Sequence, residues 1–318
     1  DEYEISIPDI AGGWEKLKAG DHLNITEGSI EETVNCTGLF SGRGNNKLGF
    51  AHQTYAEFLA ARYLVENKVP VEQIMNMITC STDQKPEILP QLQQTATWLA
   101  GMKPEILELV LELNPMLLLY SDLSNANSNI KEKTCNHILQ LHESDNVQYP
   151  WIEPEKYKKL DCPGLSEALH DYIKNPQKKL ESRMIAIDMA EALRFEEFKN
   201  DLVKIALDKE QNINVRQHAA FSISKKGENE TKEKLKPLAI EFQQEDKNDE
   251  LKAAAMMALW PSLFTVEELF DTITPPKLSN YSGMYGLFLE NNVIDHLKEE
   301  DMLTALDWVI ENEDSNNT

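Results

Sequence analysis

A repeated pattern in the second half of the chain constrains the fold more than any other feature. Three apolar segments in which alanine recurs begin with Arg183, Arg216 and Lys252, at offsets of 33 and 36 residues. Each segment is followed by a second amphipathic run. The three pairs are 183–190 with 198–207, 216–223 with 235–242, and 252–259 with 266–273. Two helices per repeat at this period predict an α-solenoid, in which the alanines let paired helices approach closely.

The stretch from Leu48 to Leu64 holds the clearest local signal in the first half of the chain. Thr54 and Glu57 have the spacing of a capping box, which predicts that a helix starts at Thr54. Tyr55 and Phe58 belong to an apolar stripe along that helix, with alanines suited to close packing between them. Just before it, glycines and asparagines separate two short apolar runs, which predicts a small β-hairpin.

His52 lies two residues before the predicted helix start. The first amides of a helix are unpaired and its dipole favours an anion, so a phosphate is one candidate ligand. The other interpretation is an ordinary packing or capping side chain, and position alone favours it.

Residues 50–61, FAHQTYAEFLAA, resemble the F-x-H-x-[ST]-[FY]-x-E-F-x-A-A segment of NACHT-type STAND NTPases, in the winged-helix region that follows the nucleotide-binding core. Residues 37–40 resemble the helix end before the wing in that family. The resemblance implies that His52 reaches the β-phosphate of bound ADP and helps to hold a closed, inactive form. It implies a structural role for the other motif residues, which are Phe50, Thr54, Tyr55, Glu57 and Phe58.

Two further segments carry weaker resemblances. Residues 98–101 and 114–122 are similar to the helical region that follows the winged helix in bacterial NACHT proteins. The V-R-x-x-A-A pattern around Val215 resembles HEAT repeats. We expect Trp98 to be a core anchor and Arg216 to stabilise a neighbouring turn rather than to bind a ligand.

No G-x-x-x-x-G-K-[ST] phosphate loop occurs in the 318 residues, so this chain is not expected to be an NTPase by itself. The chain starts at Asp1 rather than Met, which we interpret as a fragment cut downstream of an ATPase core. We therefore expect no cofactor in this chain. The resemblance implies ADP or ATP with magnesium for the intact parent, and the upstream NACHT core as a partner.

The apolar spacing between Val69 and Tyr120 is helical, and prolines punctuate these runs near their starts, where a missing amide costs little. Farther along, the segment 228–249 is highly charged but keeps apolar residues for one buried face, which predicts a solvated helix. Near the amino end, the alternation of Tyr3, Ile5 and Ile7 predicts a short strand.

Charge and cysteine content bound the possible partners and compartment. The chain has 31 basic and 54 acidic residues, a net charge of −23, which disfavours nucleic acid as a ligand. The acidity either steers a basic protein partner or only keeps the protein soluble. No apolar run approaches the length of a membrane span, and the four cysteines are widely scattered. We expect a cytoplasmic protein with reduced, buried cysteines.

The sequence offers little support for catalysis or for a metal site. It contains no G-x-S-x-G or H-E-x-x-H motif, and we expect this chain not to be an enzyme. His137 and His142 are five residues apart, not the four that place two ligands on one helical face, and Cys135 is their only soft neighbour. Surface or packing roles are therefore favoured over zinc binding.

The predicted fold is all-α: a HEAT-like α-solenoid preceded by a winged-helix remnant with a small β-hairpin. The predicted domains are a winged-helix remnant with an N-terminal strand or linker (1–66), a helical region (67–150) and the solenoid with a polar C-terminal tail (151–318). The expected function is the regulatory or sensor region of a bacterial NACHT-type STAND NTPase. Its solenoid would recognise a trigger such as a phage protein, and activation would lead to oligomerisation. The alternative is a constitutive α-solenoid scaffold for protein partners, without nucleotide control.

Overall fold

The chain divides into two compact units, Asp1–Asp122 and Leu123–Thr318. Helices dominate the described residues of both units, as the all-α prediction requires, and the described strands form three two-stranded antiparallel pairs. The predicted three-part division at 66/67 and 150/151 stays a prediction. The computed structural model describes residues 14–16, 22–44, 47–81, 86–124, 126–144, 148–150, 152–241, 243–278 and 283–313.

The strands within the described ranges all lie in the first unit. The predicted β-hairpin is confirmed, with Phe40 opposite Phe50 in its register. The strand predicted over residues 3–7 lies outside the described residues. The antiparallel pairs are β1 (Trp14–Lys16) with β2 (His22–Asn24), β3 (Phe40–Gly44) with β4 (Lys47–Phe50), and β5 (Thr79–Ser81) with β6 (Pro86–Ile88).

Five α-helices of the first unit lie within the described residues, and α2 (Gln53–Glu66) and α4 (Gln93–Met102) pack against each other. The pair β5–β6 corrects the prediction of purely helical structure between Val69 and Tyr120. The helix before β5 ends at Ile78, and Thr79 takes an extended conformation while its amide and its hydroxyl both donate to the carbonyl oxygen of Met75, the hydroxyl at 2.7 Å. Pro86, at the start of β6, cannot donate a backbone amide to a helix. The helices are α1 (Glu27–Cys36), α2 (Gln53–Glu66), α3 (Val71–Ile78), α4 (Gln93–Met102) and α5 (Pro104–Leu113).

The predicted capping box at Thr54 and Glu57 is wrong. Helix α2 begins at Gln53, with His52 as its N-cap in an extended conformation. The Glu57 carboxylate instead accepts a hydrogen bond from the Gln53 side chain at 2.8 Å, four residues earlier on the same helix. A capping box does occur at the start of α1, where the side chains of Thr26 and Ser29 each accept from the other residue's amide.

The second unit is described as a succession of helices in which α8, α10 and α13 pack consecutively. These three helices contain the first segments of the three sequence repeats. Helix α9 contains the second run of the first repeat, and α14 contains that of the third repeat except its last residue. The helices are α6 (Ser128–Ser144), α7 (Leu165–Lys174), α8 (Leu180–Leu193), α9 (Phe195–Leu207), α10 (Ile213–Lys226), α11 (Asn229–Glu233), α12 (Lys236–Ile240), α13 (Glu250–Leu259), α14 (Val266–Thr272), α15 (Met284–Leu287) and α16 (Met302–Glu313).

The charged segment 228–249 does not form the single solvated helix that was predicted. It forms the short helices α11 and α12 and a turn before α13, because Pro237 starts a new helix and interrupts the first. Leu235 and Leu238 are buried as predicted, but Ile240 at the end of α12 is 59% exposed. The final helix extends to Glu313, so the predicted polar tail is helical at its start, and residues 314–318 lie outside the described residues.

Two buried arginines each bond the end of the preceding helix, through different guanidinium nitrogens. Nη2 of Arg183, near the start of α8, donates to the carbonyl oxygen of Ile173 in the last turn of α7, at 3.1 Å. Nε of Arg216, near the start of α10, donates to the carbonyl oxygen of Ala206 in the last turn of α9, at 3.0 Å. Each acceptor lies ten residues before its arginine. These bonds satisfy carbonyl groups that a helix end leaves unpaired.

Each of these arginines also binds a glutamine in the following part of the chain. Nη2 of Arg183 donates to Gln211 at 2.9 Å, and Nη2 of Arg216 donates to Gln243 at 3.3 Å. The predicted structural role of Arg216 in a neighbouring turn is confirmed by these contacts. Lys252, which heads the third repeat, departs from the pattern and donates from Nζ to the Thr274 hydroxyl at 2.9 Å.

The cysteines are all free thiols, but not all of them are buried. Cys135 and Cys162 are buried, as expected, and Cys80 is half-buried. The expectation is wrong for Cys36, which is exposed because it is the last residue of α1, a helix with no buried residue.

Candidate functional site

His52 is exposed at the start of α2, directly after the hairpin strand β4. Its side chain makes no capping hydrogen bond, and its ring meets the Tyr55 ring edge-on, with the ring centroids 5.8 Å apart. Tyr55 is 38% exposed and Thr54 is exposed beside it. The imidazole is therefore accessible to a ligand at the end of a helix where an anion is favoured.

Two other residues of the motif make packing contacts. The rings of Phe50 and Phe40 stack across the hairpin, with centroids 5.0 Å apart. The half-buried ring of Phe58 meets the indole of Trp98, on α4, edge-on at 5.2 Å. Phe58 and Trp98 thus join α2 to α4, as expected for a structural role.

We expect Phe58→Ala to lower the free energy of unfolding of the first unit by about 2 kcal/mol. The loss is smaller than the 3–5 kcal/mol typical of a fully buried ring, because Phe58 is only half-buried. Urea unfolding followed by far-UV circular dichroism measures it. Tyr63→Ala on the same helix is the control, since Tyr63 is 65% exposed, and a wild-type transition for both variants would contradict the packing role.

The residues weighed as zinc ligands lie on one helix, α6, without a metal-binding arrangement. Nδ1 of His137 lies 2.8 Å from the carbonyl oxygen of Lys133, and Nδ1 of His142 lies 3.1 Å from that of Ile138. Cys135 is buried, with its thiol 3.9 Å from the carbonyl oxygen of Leu160. Over the ranges that the structure describes, no three His, Cys, Asp or Glu side chains are grouped to hold a metal ion.

We expect His142 to make the second unit sensitive to acid. Burial lowers the pKa of His142 below its ordinary 6.5, although the Ile138 carbonyl and Glu181 favour the proton. The unfolded chain binds the proton more readily than the folded chain. The contribution of neutral His142 to the free energy of unfolding is therefore fully present above about pH 6.5, and it is lost as pH falls through the lower pKa of the folded state. Between these two pKa values, His142→Leu should reduce the slope of the free energy of unfolding against pH by up to about 1.4 kcal/mol per pH unit. Urea unfolding between pH 7 and pH 5 measures it. An unchanged slope in His142→Leu would contradict the assignment.

A pocket of about 400 Å³ opens on helices α8 and α10 of the second unit. None of its charged residues was singled out from the sequence. Its walls are mostly apolar and aromatic, with charged groups among them. The lining residues are Tyr149, Ile152, Glu153, Pro154, Asp188, Glu191, His218, Phe221, Lys225 and Met284.

Asp188 is the centre of one polar cluster in this pocket. Asp188 is only 5% exposed. Oδ2 accepts a hydrogen bond from the Tyr149 hydroxyl, and Oδ1 lies 3.1 Å from Nδ1 of His218. The rings of Tyr149 and His218 meet edge-on at 5.0 Å. Burial and the neighbouring Asp188 raise the pKa of Tyr149 far above its usual range, so the hydroxyl stays protonated and serves as a donor.

Glu191 forms a second cluster one turn farther along α8. The Ser222 hydroxyl donates to its Oε2 at 2.9 Å, and Nζ of Lys225 lies 3.5 Å from its Oε1. Glu191 is 6% exposed, whereas the Lys225 side chain is 54% exposed. Burial raises the pKa of Glu191, and Lys225 opposes this only in part.

The charged groups of the pocket are arranged to bind a complementary charge. Asp188 and His218 form a pair in which the carboxylate orients the imidazole. Asp188 and Glu191 are both nearly buried beside the aromatic rings of the lining. Two such carboxylates favour the binding of a positively charged group.

A sequence signal for this pocket exists, although it is faint. Asp188 is the one acidic residue in the otherwise apolar part of the first repeat segment, 184–190. A buried carboxylate in such a position needs partners. Its partners Tyr149 and His218 lie 39 and 30 residues away in the sequence, so no local pattern connects them.

Comparison with known proteins returns no match, whether with family models, with curated proteins or with solved structures. Within the described ranges, no helix combines the length and the apolar content needed to cross a bilayer. The His52 surface and the pocket on α8 and α10 are therefore judged by their own chemistry.

Proposed function

We propose that this chain is the regulatory and sensor region of a NACHT-type STAND NTPase. In this proposal, residues in the second unit recognise a protein trigger, such as a phage protein. The winged-helix segment restrains the ADP-bound closed state until the trigger arrives. The observation that carries the proposal is the motif of residues 50–61 with an exposed His52 at the start of α2.

A winged-helix remnant is supported by the order of elements around the motif. Helix α1 precedes the hairpin β3–β4, and α2 follows it, which is the α-β-β-α order expected of such a remnant. The motif residues Phe50 and Phe58 make the packing contacts that a structural role requires. His52 is left at the surface, where a phosphate presented by an upstream ATPase core can reach it.

A HEAT-like solenoid is supported by the equivalent contacts of Arg183 and Arg216. Both arginines bond a carbonyl group ten residues earlier, in the last turn of the preceding helix. The same bond at successive repeats, between helices that pack consecutively, is the nearest-neighbour interaction of a repeat array. Such arrays present extended surfaces for protein partners.

The nucleotide belongs to the proposed parent rather than to this chain. His52 is suited to contact a phosphate, because its imidazole is exposed at a helix start. The phosphate-binding loop and the magnesium site would lie in the upstream core. A cytoplasmic location and oligomerisation on activation belong to the same proposal, whereas the net charge of −23 disfavours nucleic acid as the trigger.

The proposal is tested by reading the coding sequence upstream of Asp1. A predicted strand followed by G-x-x-x-x-G-K-[ST] is the expected result. In that intact protein, removal of residues 123–318 should abolish the response of the ATPase to its trigger. A reading frame without a phosphate-binding loop would overturn the switch and leave a constitutive scaffold, since no contact described in the second unit requires a nucleotide.

A further inference from the structure

We propose that the pocket on α8 and α10 binds one cationic side chain, arginine or lysine, presented by a protein partner. The inference rests on the proposed function in one respect: the partner is the protein that the second unit recognises. The binding of the cationic group itself follows from the pocket alone.

The charges in the pocket favour a cation. Asp188 and Glu191 are 5% and 6% exposed, so their carboxylates are poorly solvated by water. Lys225 is the only lysine or arginine among the described lining residues, and its side chain is half exposed to solvent. Glu153 adds a third acidic group to the lining. The three acidic groups therefore outnumber the basic groups even when His218 is counted with Lys225, and an added positive charge is favoured.

The two carboxylates have capacity for a further donor. Each ionised carboxylate offers about four acceptor sites. Asp188 receives the Tyr149 hydroxyl and faces His218, and Glu191 receives the Ser222 hydroxyl and faces Lys225. Burial raises the pKa of Glu191, so its ionised form is under-compensated before a ligand binds. A guanidinium or ammonium group would supply the missing donors and charge.

The apolar walls suit the rest of such a side chain. Lysine and arginine carry an aliphatic stem that packs against apolar surface while the charged end is paired. Ile152 and Pro154 provide such surface. Tyr149 and Phe221 provide aromatic rings, which attract cations. The pocket volume of about 400 Å³ is near the lower limit for ligand pockets, and it suits one side chain.

The charge of the whole chain favours the same partner. A net charge of −23 steers basic proteins toward the surface and raises their rate of association. The alternative ligand is an acidic side chain that binds Lys225 and His218. Two nearly buried carboxylates, Asp188 and Glu191, would repel such a side chain, and the titration below tests it with a glutamate peptide.

The test is a nuclear magnetic resonance titration of the full chain labelled with ¹³C at methionine methyl groups. Met284 lines the pocket and reports occupancy, and Met284→Leu assigns its signal. The probe is acetyl-Gly-Arg-Gly-amide, titrated to about 20 mM because one side chain binds weakly. The neutral isostere with citrulline in place of arginine, and the peptide with glutamate, are the matched ligands. All three peptides are titrated in the same buffer.

We expect the arginine peptide to shift the Met284 signal saturably, and the citrulline and glutamate peptides not to do so. Glu191→Gln should weaken the binding by about tenfold or more, since one charged partner is lost. Glu267→Gln removes an equal charge from an exposed position and should leave the affinity unchanged. Asp188→Asn is the second pocket variant if Glu191→Gln fails to fold by circular dichroism.

Three outcomes would overturn the cation site: no saturable shift, equal shifts with citrulline and arginine, or tighter binding of the glutamate peptide. Equal affinity in folded Glu191→Gln and Glu267→Gln would do the same. The titration does not depend on an upstream ATPase core. A reading frame without a phosphate-binding loop would therefore overturn the proposed switch but not the cation site. A reading frame with such a loop, together with no binding of the arginine peptide, would overturn the cation site but not the proposed switch.

Discussion

Replacing Arg216 with methionine is expected to lower the free energy of unfolding of the second unit by about 3 kcal/mol. Arg216 is only 1% exposed, and it donates to the Ala206 carbonyl and to the Gln243 side chain. Methionine fills the space of the aliphatic stem but donates no hydrogen bond. Both acceptors would then be buried without their donor, at a cost of about 1–3 kcal/mol each.

The positive charge of Arg216 both stabilises and destabilises the folded state. Burial lowers the pKa of Arg216, which is a cost that the methionine variant escapes. Nearby carboxylates favour the charged form and would lose a compensating charge. Because these two effects oppose each other, we expect a loss of about 3 kcal/mol, which is less than the largest summed cost of leaving both acceptors unpaired. The carboxylates are Glu245, Asp246 and Asp208.

Urea unfolding with an unchanged m value measures the loss. Lys204→Met is the matched control, because the Lys204 side chain is 79% exposed, and it should stay within about 0.5 kcal/mol of wild type. If Arg216→Met unfolds at the wild-type midpoint, the bond to the preceding helix does not hold the repeats together. The support for a HEAT-like array would then be lost.

The helices of this fold could be predicted because their signals are local and repeated. The alanine-rich segments beginning at Arg183, Arg216 and Lys252 fall in the helices α8, α10 and α13, which pack consecutively. The hairpin β3–β4 follows from glycines and asparagines between two apolar runs. A structural role for Arg216 follows from its fixed position in a repeat, where neighbouring helices offer the same unpaired carbonyl groups.

Two local predictions from the sequence were wrong: the start of α2 and the purely helical structure between Val69 and Tyr120. The spacing of Thr54 and Glu57 fits a capping box, but Gln53 binds Glu57 and α2 starts earlier. The helix prediction between Val69 and Tyr120 depended on apolar runs on either side of residues 79–88, and the paired strands β5 and β6 lie between those runs.

The pocket could not be predicted because it is assembled from separate parts of the chain. Tyr149, Asp188 and His218 belong to a loop and two helices, and their contacts join residues 30 and 39 positions apart. Neither hydrophobic periodicity nor motif spacing reports such contacts. A single acidic residue in an apolar helix segment is the trace that the site leaves in the sequence.

In the proposed intact protein with its upstream ATPase core, we expect His52→Ala to weaken ADP retention by about 10–150-fold. The reason is the loss of one charge-assisted hydrogen bond to phosphate, about 1.5–3 kcal/mol. Weaker ADP binding destabilises the closed form, so basal activity should rise without a trigger. The measurements are the ADP content of the purified protein and its dissociation rate with a fluorescent ADP analogue.

A structural role for His52 predicts a different result. His52 is exposed and makes no capping hydrogen bond, so His52→Ala should leave the unfolding transition of the 318-residue chain unchanged. His52→Gln keeps a hydrogen-bond donor and should restore part of the ADP retention. Tyr63→Ala, on the exposed surface of the same helix, should retain ADP like wild type. Unchanged ADP content and basal activity in His52→Ala would exclude the switch role, whereas lost ADP with an unchanged unfolding transition separates nucleotide sensing from support of the fold.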